Sequence, residues 1–115
     1  KTVKKVRELL QNSEKTEFVV VTIAERMGVS ETEDLIRNLE KFKIPSRNVI
    51  INNIFPKEES NFAKARRENQ EKYINEIKKK FNKHIITEVV LQPTEIYGVD
   101  SLQKLGKQLF VGQIR

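Results

Sequence analysis

Three apolar, β-branched runs separated by helical stretches constrain this chain more than any other feature. They are Phe18-Val19-Val20-Val21-Thr22-Ile23-Ala24, Val49-Ile50-Ile51 within Asn48–Asn52, and Ile85–Leu91. Strands that alternate with helices require crossover connections, and crossovers produce a parallel sheet. The first run has almost no polar alternation, which predicts a strand buried on both faces. The expected order is helix, strand, helix, strand, helix, strand, helix. Three strands are few for a sheet that needs cover on both sides, so the pattern reads as one contiguous half of a larger doubly wound α/β domain.

The helices follow from periodicity. Val3, Val6, Leu9 and Leu10 recur at helical spacing over residues 2–12. Ser30-Glu31-Thr32-Glu33 reads as a capping box, with Ser30 as N-cap. The helix it opens carries Leu35, Ile36, Leu39 and Phe42, with Pro45 beyond its end. A long helix then runs to about Phe81, with Phe62, Ala65, Tyr73, Ile77 and Phe81 near one stripe. Asp100 or Ser101 caps a last helix that turns Leu102, Leu105 and Leu109 inward.

Composition excludes several chemistries. No cysteine is present, so disulfides, thiolate metal sites and cysteine nucleophiles are ruled out together. His84 is the single histidine, which removes any multi-histidine metal centre. The longest apolar run falls far short of the roughly 20 residues needed to span a bilayer, and no apolar segment follows the basic stretch Lys1–Arg7. A cytoplasmic protein is expected. Because the chain begins at Lys1 and its one methionine is Met27, it is also expected to be a processed product or a fragment. The net charge is +6, but acids interleave the basic residues, and Lys78-Lys79-Lys80 is the one pure run. Such a run at a helix end favours the macrodipole. A nucleic-acid-binding module is therefore the weaker alternative, all the more because Phe62, Tyr73 and Phe81 fall at core spacing and form no stacking platform.

Phosphate-binding signatures are missing. The four glycines lie at 28, 98, 106 and 112. They fit neither G-x-x-x-x-G-K-[ST] nor G-x-G-x-x-G, and no serine sits in a nucleophile elbow. No catalytic residue and no metal ligand is assigned within the chain. Polar residues do follow the apolar runs, at Asn52-Asn53 and again at Gln92 to Gly98. In open parallel sheets, ligands bind at the carboxyl ends of the strands, so these two loops are the candidate small-molecule site.

Read together, Ile23-Ala24-Glu25, Glu31-Thr32-Glu33, Ile51-Asn52, Arg66…Gln70…Tyr73 and Leu91…Glu95-Ile96…Gly98 resemble the C-terminal portion of the ArsA-type ATPases. That family contains the arsenical pump-driving ATPase and the ATPase that targets tail-anchored membrane proteins. The resemblance runs from about Thr16 to Phe110. It implies a deviant P-loop NTPase fold of the SIMIBI type, here its three-stranded parallel-sheet portion, with the P-loop and switch regions lying N-terminal to the matched residues. It implies ATP with Mg²⁺ as ligand, the Mg²⁺ ligands lying outside this chain. It also implies a homodimer or a second ATPase half as partner, and either a membrane pump or a membrane-protein client as load.

By the same resemblance Asn52 takes the place of the family's adenine-reading asparagine, and an amide offers the donors and acceptor that adenine needs. Gln92, Pro93, Thr94, Glu95 and Ile96 match the loop that closes over the base. There Pro93 would stiffen the loop, Ile96 would supply apolar contact and Glu95 would anchor it. Asn53 is read as structural. Glu31, Arg66, Gln70 and Tyr73 are candidate subunit contacts, with packing as the competing role for the three on the long helix. Ser60-Asn61-Phe62-Ala63 stands where targeting members often carry a zinc-binding C-x-x-C, so no zinc site is carried over. Asp34 replaces a usual arginine and Val90 a usual proline. A non-catalytic relative that keeps the fold for dimerisation is the remaining alternative.

Overall fold

Every helix between two strands here returns the chain to the same edge of one sheet. In the computed structural model, which describes residues 2–57, 60–92 and 96–111, the elements are α1 (Thr2–Gln11), β1 (Phe18–Ile23), α2 (Arg26–Lys41), β2 (Ser46–Ile54), α3 (Asn61–Lys80), β3 (Ile85–Val90) and α4 (Gly98–Val111). The strands are ordered β1-β2-β3 and all pair in parallel. This is the α/β, three-stranded parallel-sheet arrangement anticipated for a portion of a P-loop NTPase fold.

The core lies on one face of the sheet. Val20 of β1 and Val49, Ile51 and Ile54 of β2 pack with Ile36 and Leu39 of α2 and with Tyr73, Ile74, Ile77 and Phe81 from α3 and its end. Ile51, Ile54, Ile74, Ile77, Val20 and Val49 are fully buried. Each such side chain contributes about 1.5–3 kcal/mol relative to exposure.

The expectation that β1 is buried on both faces is corrected. Its burial alternates, and Val19, Val21 and Ile23 are exposed. The reason is positional: β1 is an edge strand, and α2 and α3 both pack on the face of Val20. The helix readings also change. Helix α2 begins at Arg26 with Glu25 at the N-cap, so Ser30 lies inside the helix instead of capping it. Its buried face includes Ile36 and Leu39, while Leu35 and Phe42 are exposed. On α3 the buried set is Ala63, Gln70, Tyr73, Ile74 and Ile77, with Phe62 and Ala65 turned outward. In α4, Leu102 is exposed, and Leu105 and Leu109 are half-buried.

The ends of these helices are chemically closed. Ser60 Oγ accepts from Ala63 N–H at 3.2 Å and caps α3. At the end of α2, Ile44 N–H donates to Leu39 O at 2.8 Å and Lys43 N–H to Glu40 O at 3.0 Å. With Lys43 at φ 58°, this is a Schellman closure in which a lysine takes the usual glycine position. The basic run is engaged: Lys78 pairs with Glu88 at 2.9 Å, and Lys80 with Glu33 at 2.7 Å and Glu76 at 3.5 Å. The Lys80 bond holds the Glu33 carboxyl below its ordinary range, and Glu33 in turn raises Lys80. No helix among the described residues is long and apolar enough to cross a membrane.

Glu17 ties the starts of β1 and β2 together. It is bonded by the Arg47 guanidinium and accepts from Asn48 Nδ2 at 2.7 Å. The Arg47 bond, aided by Asn48, holds its carboxyl below the ordinary value of 4.5. A carboxyl lowered in the folded state stabilises the fold above its unfolded pKa and loses that contribution as pH falls through the lowered value. Glu17→Gln is therefore expected to reduce stability at neutral pH and to flatten the decline below about pH 4.5. Urea titrations across the acid range check this, and parallel acid limbs for the two proteins would contradict it.

Candidate functional site

The carboxyl edge of the sheet is built by two tight departures from it. At the first, the chain leaves β1 through a turn closed by Glu25 N–H to Ile23 O at 2.9 Å and enters α2. Gly28 lets the helix press onto the strand, since a Cβ there would stand 2.3 Å from the Ile23 carbonyl oxygen. Thr22 Oγ1 donates to Gly28 O at 3.1 Å, and Thr32 Oγ1 donates to the same oxygen at 2.7 Å. Strand and helix are thereby joined through one backbone carbonyl.

Beside this junction lies an open cleft of about 440 Å³, lined among others by Val21, Ile23, Met27, Glu31, Leu35 and Asn52. Asn52 reaches it from β2, where it pairs in register with Ile23. The apolar wall comes from the exposed side of β1 and from α2. Asn52 and Glu31 supply polar groups.

The second departure is the end of β2. From Ile51 to Ile54 the strand advances three residues while its partner advances two, from Glu88 to Val90. One extra residue is thus accommodated at Asn52–Asn53, and Asn53 takes φ 57°. A bulge of this kind bends the strand and re-aims a side chain, and asparagine tolerates the left-handed conformation better than most residues. The bulge is held from outside. Gln70 Nε2 donates to Asn53 O at 2.9 Å, and Gln70 Oε1 accepts from Phe55 N–H at 2.7 Å. Arg67 Nη1 donates to Phe55 O at 3.0 Å while its Nε bonds Glu71 at 2.7 Å. Leu91 N–H closes the other side onto Ile54 O at 2.7 Å.

The sequence-derived candidates separate into groups. Asn52 and Glu31 line one cleft. Gln92 lines another, with Phe55, Pro56, Phe62, Leu91 and Gln108, and its Nε2 donates to Val90 O at 2.8 Å. Ile96 is exposed, whereas Pro93, Thr94 and Glu95 lie outside the described residues. Arg66 is exposed and stands 5.2 Å from the Phe55 ring centroid, a cation–π distance. Gln70 is 6% exposed and Tyr73 9%. Both are committed to the interior, which leaves Glu31 and Arg66 as the solvent-facing pair among the four candidate contacts. Arg67 and Gly28 were missed. The signal for Arg67 was present, because Ala63, Arg67, Gln70, Ile74 and Ile77 share one helical face once the stripe is drawn through Ile74. Among the described residues, no group of three or more His, Asp or Glu side chains gathers as metal ligands do.

The family model for the anion-transporting ATPases matches residues 1–111. The chain belongs to that ATPase family. Among its relatives, "ATPase ASNA1 homolog 2" of Paramecium tetraurelia is 34% identical over 90% of this chain and 32% of its own length. "ATPase GET3B" of Arabidopsis thaliana is 37% identical over 89% of this chain and 26% of its own. "ATPase ASNA1 homolog" of Dictyostelium discoideum is 34% identical over 96% and 34%. The chain thus spans about a third of the length of the family members it matches. The resemblance drawn from the motifs and the family match agree.

The contact at Gly28 makes a direct prediction. Gly28→Ala forces α2 off β1 and strains both threonine bonds, with an expected loss of about 1–3 kcal/mol, the cost of overpacking a tight contact. Chemical denaturation measures it, and a variant as stable as the parent would show that the helix is not held this close.

Proposed function

We propose that this chain is the C-terminal portion of an ArsA-type ATPase and forms the base-binding side of its ATP site. The observation that carries the reading is the Asn52 amide, placed on a bulge at the carboxyl edge of β2 and facing a cleft with an apolar wall. Adenine presents an amino donor beside a ring-nitrogen acceptor, and one asparagine amide complements both. The apolar wall from Val21, Ile23 and Met27 suits a flat heterocycle, since such sites combine apolar lining with few placed polar groups. The segment from Gln92 to Ile96 would close over the base in the assembled protein.

Phosphoryl transfer belongs to residues outside this chain. It needs a lysine and backbone amides to cradle the phosphates, with Mg²⁺ to offset their charge when bound, and the sequence contains no such motif. In this reading ATP binding and hydrolysis open and close two subunits or two fused halves, with the exposed Glu31 and Arg66 at the contact between them. The work would be export of an oxyanion such as arsenite through a membrane pump, or delivery of a membrane-protein client.

The test is nucleotide binding by the full-length ATPase that carries this segment. Asn52→Ala is expected to weaken ATP about tenfold, the equivalent of about 1.4 kcal/mol, and to erase most of the preference for ATP over GTP. Affinity and preference equal to the parent's would overturn the assignment.

A further inference from the structure

The bulge that carries Asn52 does not hold itself. Its ladder is interrupted between Ile51 and Ile54, and Asn53 sits at φ 57°, where a side-chain-bearing residue gains nothing from the backbone alone. Two side chains of α3 engage three backbone groups at the bulge and just beyond it. Gln70 spans Asn53 O and Phe55 N–H at 2.9 and 2.7 Å, and Arg67 takes Phe55 O at 3.0 Å. The burial of Gln70, at 6% exposure, makes this clamp specific: an amide in that place has no water to turn to, so losing either partner leaves a buried polar group unmet.

From this we infer that Gln70 is a positioning residue for base recognition: its amide fixes the Asn53–Phe55 backbone and thereby sets the direction in which Asn52 presents its own amide to the cleft. The inference rests on the base-binding reading of Asn52. It gives α3 a task beyond packing, because the helix that covers the core also registers the recognition residue. A primary amide carries donors and an acceptor on one planar group, which lets Gln70 bridge a carbonyl and an N–H two residues apart. Glutamate keeps the shape and the acceptor but cannot donate to Asn53 O when ionised, whereas leucine keeps the volume and does neither.

The test uses the same full-length ATPase and four variants: Asn52→Ala, Gln70→Glu, Gln70→Leu and the double variant Asn52→Ala/Gln70→Glu. ATP and GTP affinities and the melting temperature are measured for each. The expected result is that Gln70→Glu and Gln70→Leu each weaken ATP by about tenfold, a loss on the scale of a removed hydrogen bond, and narrow the preference over GTP. The double variant should bind ATP no more weakly than Asn52→Ala alone, because Gln70 acts through Asn52. A purely structural role would lower the melting temperature while leaving the ATP-to-GTP ratio intact, and that outcome overturns the inference. Fully additive losses in the double variant overturn it as well. If Gln70→Leu does not fold, Gln70→Glu carries the decision. If Asn52→Ala has no effect, the base-binding reading falls and takes this inference with it. If Asn52→Ala weakens ATP and the Gln70 variants do not, the base reading stands and the positioning role falls.

Discussion

The pairing of β2 between two parallel neighbours is the constraint on which the rest depends. A central parallel strand obliges both flanking connections to cross over by helix, and with the order β1-β2-β3 both crossovers run the same way round. Helices α2 and α3 therefore share one face, and the core gathers there around Val49, Ile51 and Ile54. The same geometry brings the carboxyl ends of all three strands to one edge. The polar residues that follow the apolar runs then become neighbours, although they are far apart in the chain.

At that edge the structure trades regularity for placement. Gly28 gives up a side chain so that α2 can seat against Ile23, and Thr22 and Thr32 converge on its carbonyl. The end of β2 gives up a regular ladder and recovers the lost hydrogen bonds from Gln70 and Arg67. In both places a buried polar contact, not an apolar one, fixes the position of the backbone. Polar contacts are directional, so they set the course of the backbone at this edge in a way that apolar area alone does not.

Much of this was legible in the sequence. The three strands follow from β-branched runs, the parallel sheet from their alternation with helices, and the place of Asn52 at the carboxyl edge from a polar residue directly behind an apolar run. Three readings failed for identifiable reasons. A near-continuous apolar run signals burial on both faces, yet β1 is an edge strand whose second face, with Val19, Val21 and Ile23, is exposed. Ser30-x-x-Glu33 has the form of a capping box, but the start of α2 is set by the end of β1 and the close approach at Gly28, which no local pattern records. The long helix invited a stripe through its aromatics. Its real buried face runs through Ala63, Gln70, Tyr73, Ile74 and Ile77 and hides a glutamine, because the partners of that glutamine are backbone groups invisible to any pattern of side chains.

The two ends of α3 show how differently one helix can be held. At its C-terminal end, Lys78 and Lys80 reach Glu88, Glu33 and Glu76 through exposed ion pairs, which solvent and salt weaken. At its N-terminal half, Gln70 and Arg67 hold the β2 turn through partly buried bonds to backbone, where water competes poorly. The helix is thus loosely tethered at the edge away from the cleft and firmly tethered beside it. A displacement of α3 would yield first at the lysines and would carry the Asn53–Phe55 backbone along with it. The firm end is thus bonded to the backbone of the bulge from the helix side, while Asn52 itself stays in register with Ile23 of β1.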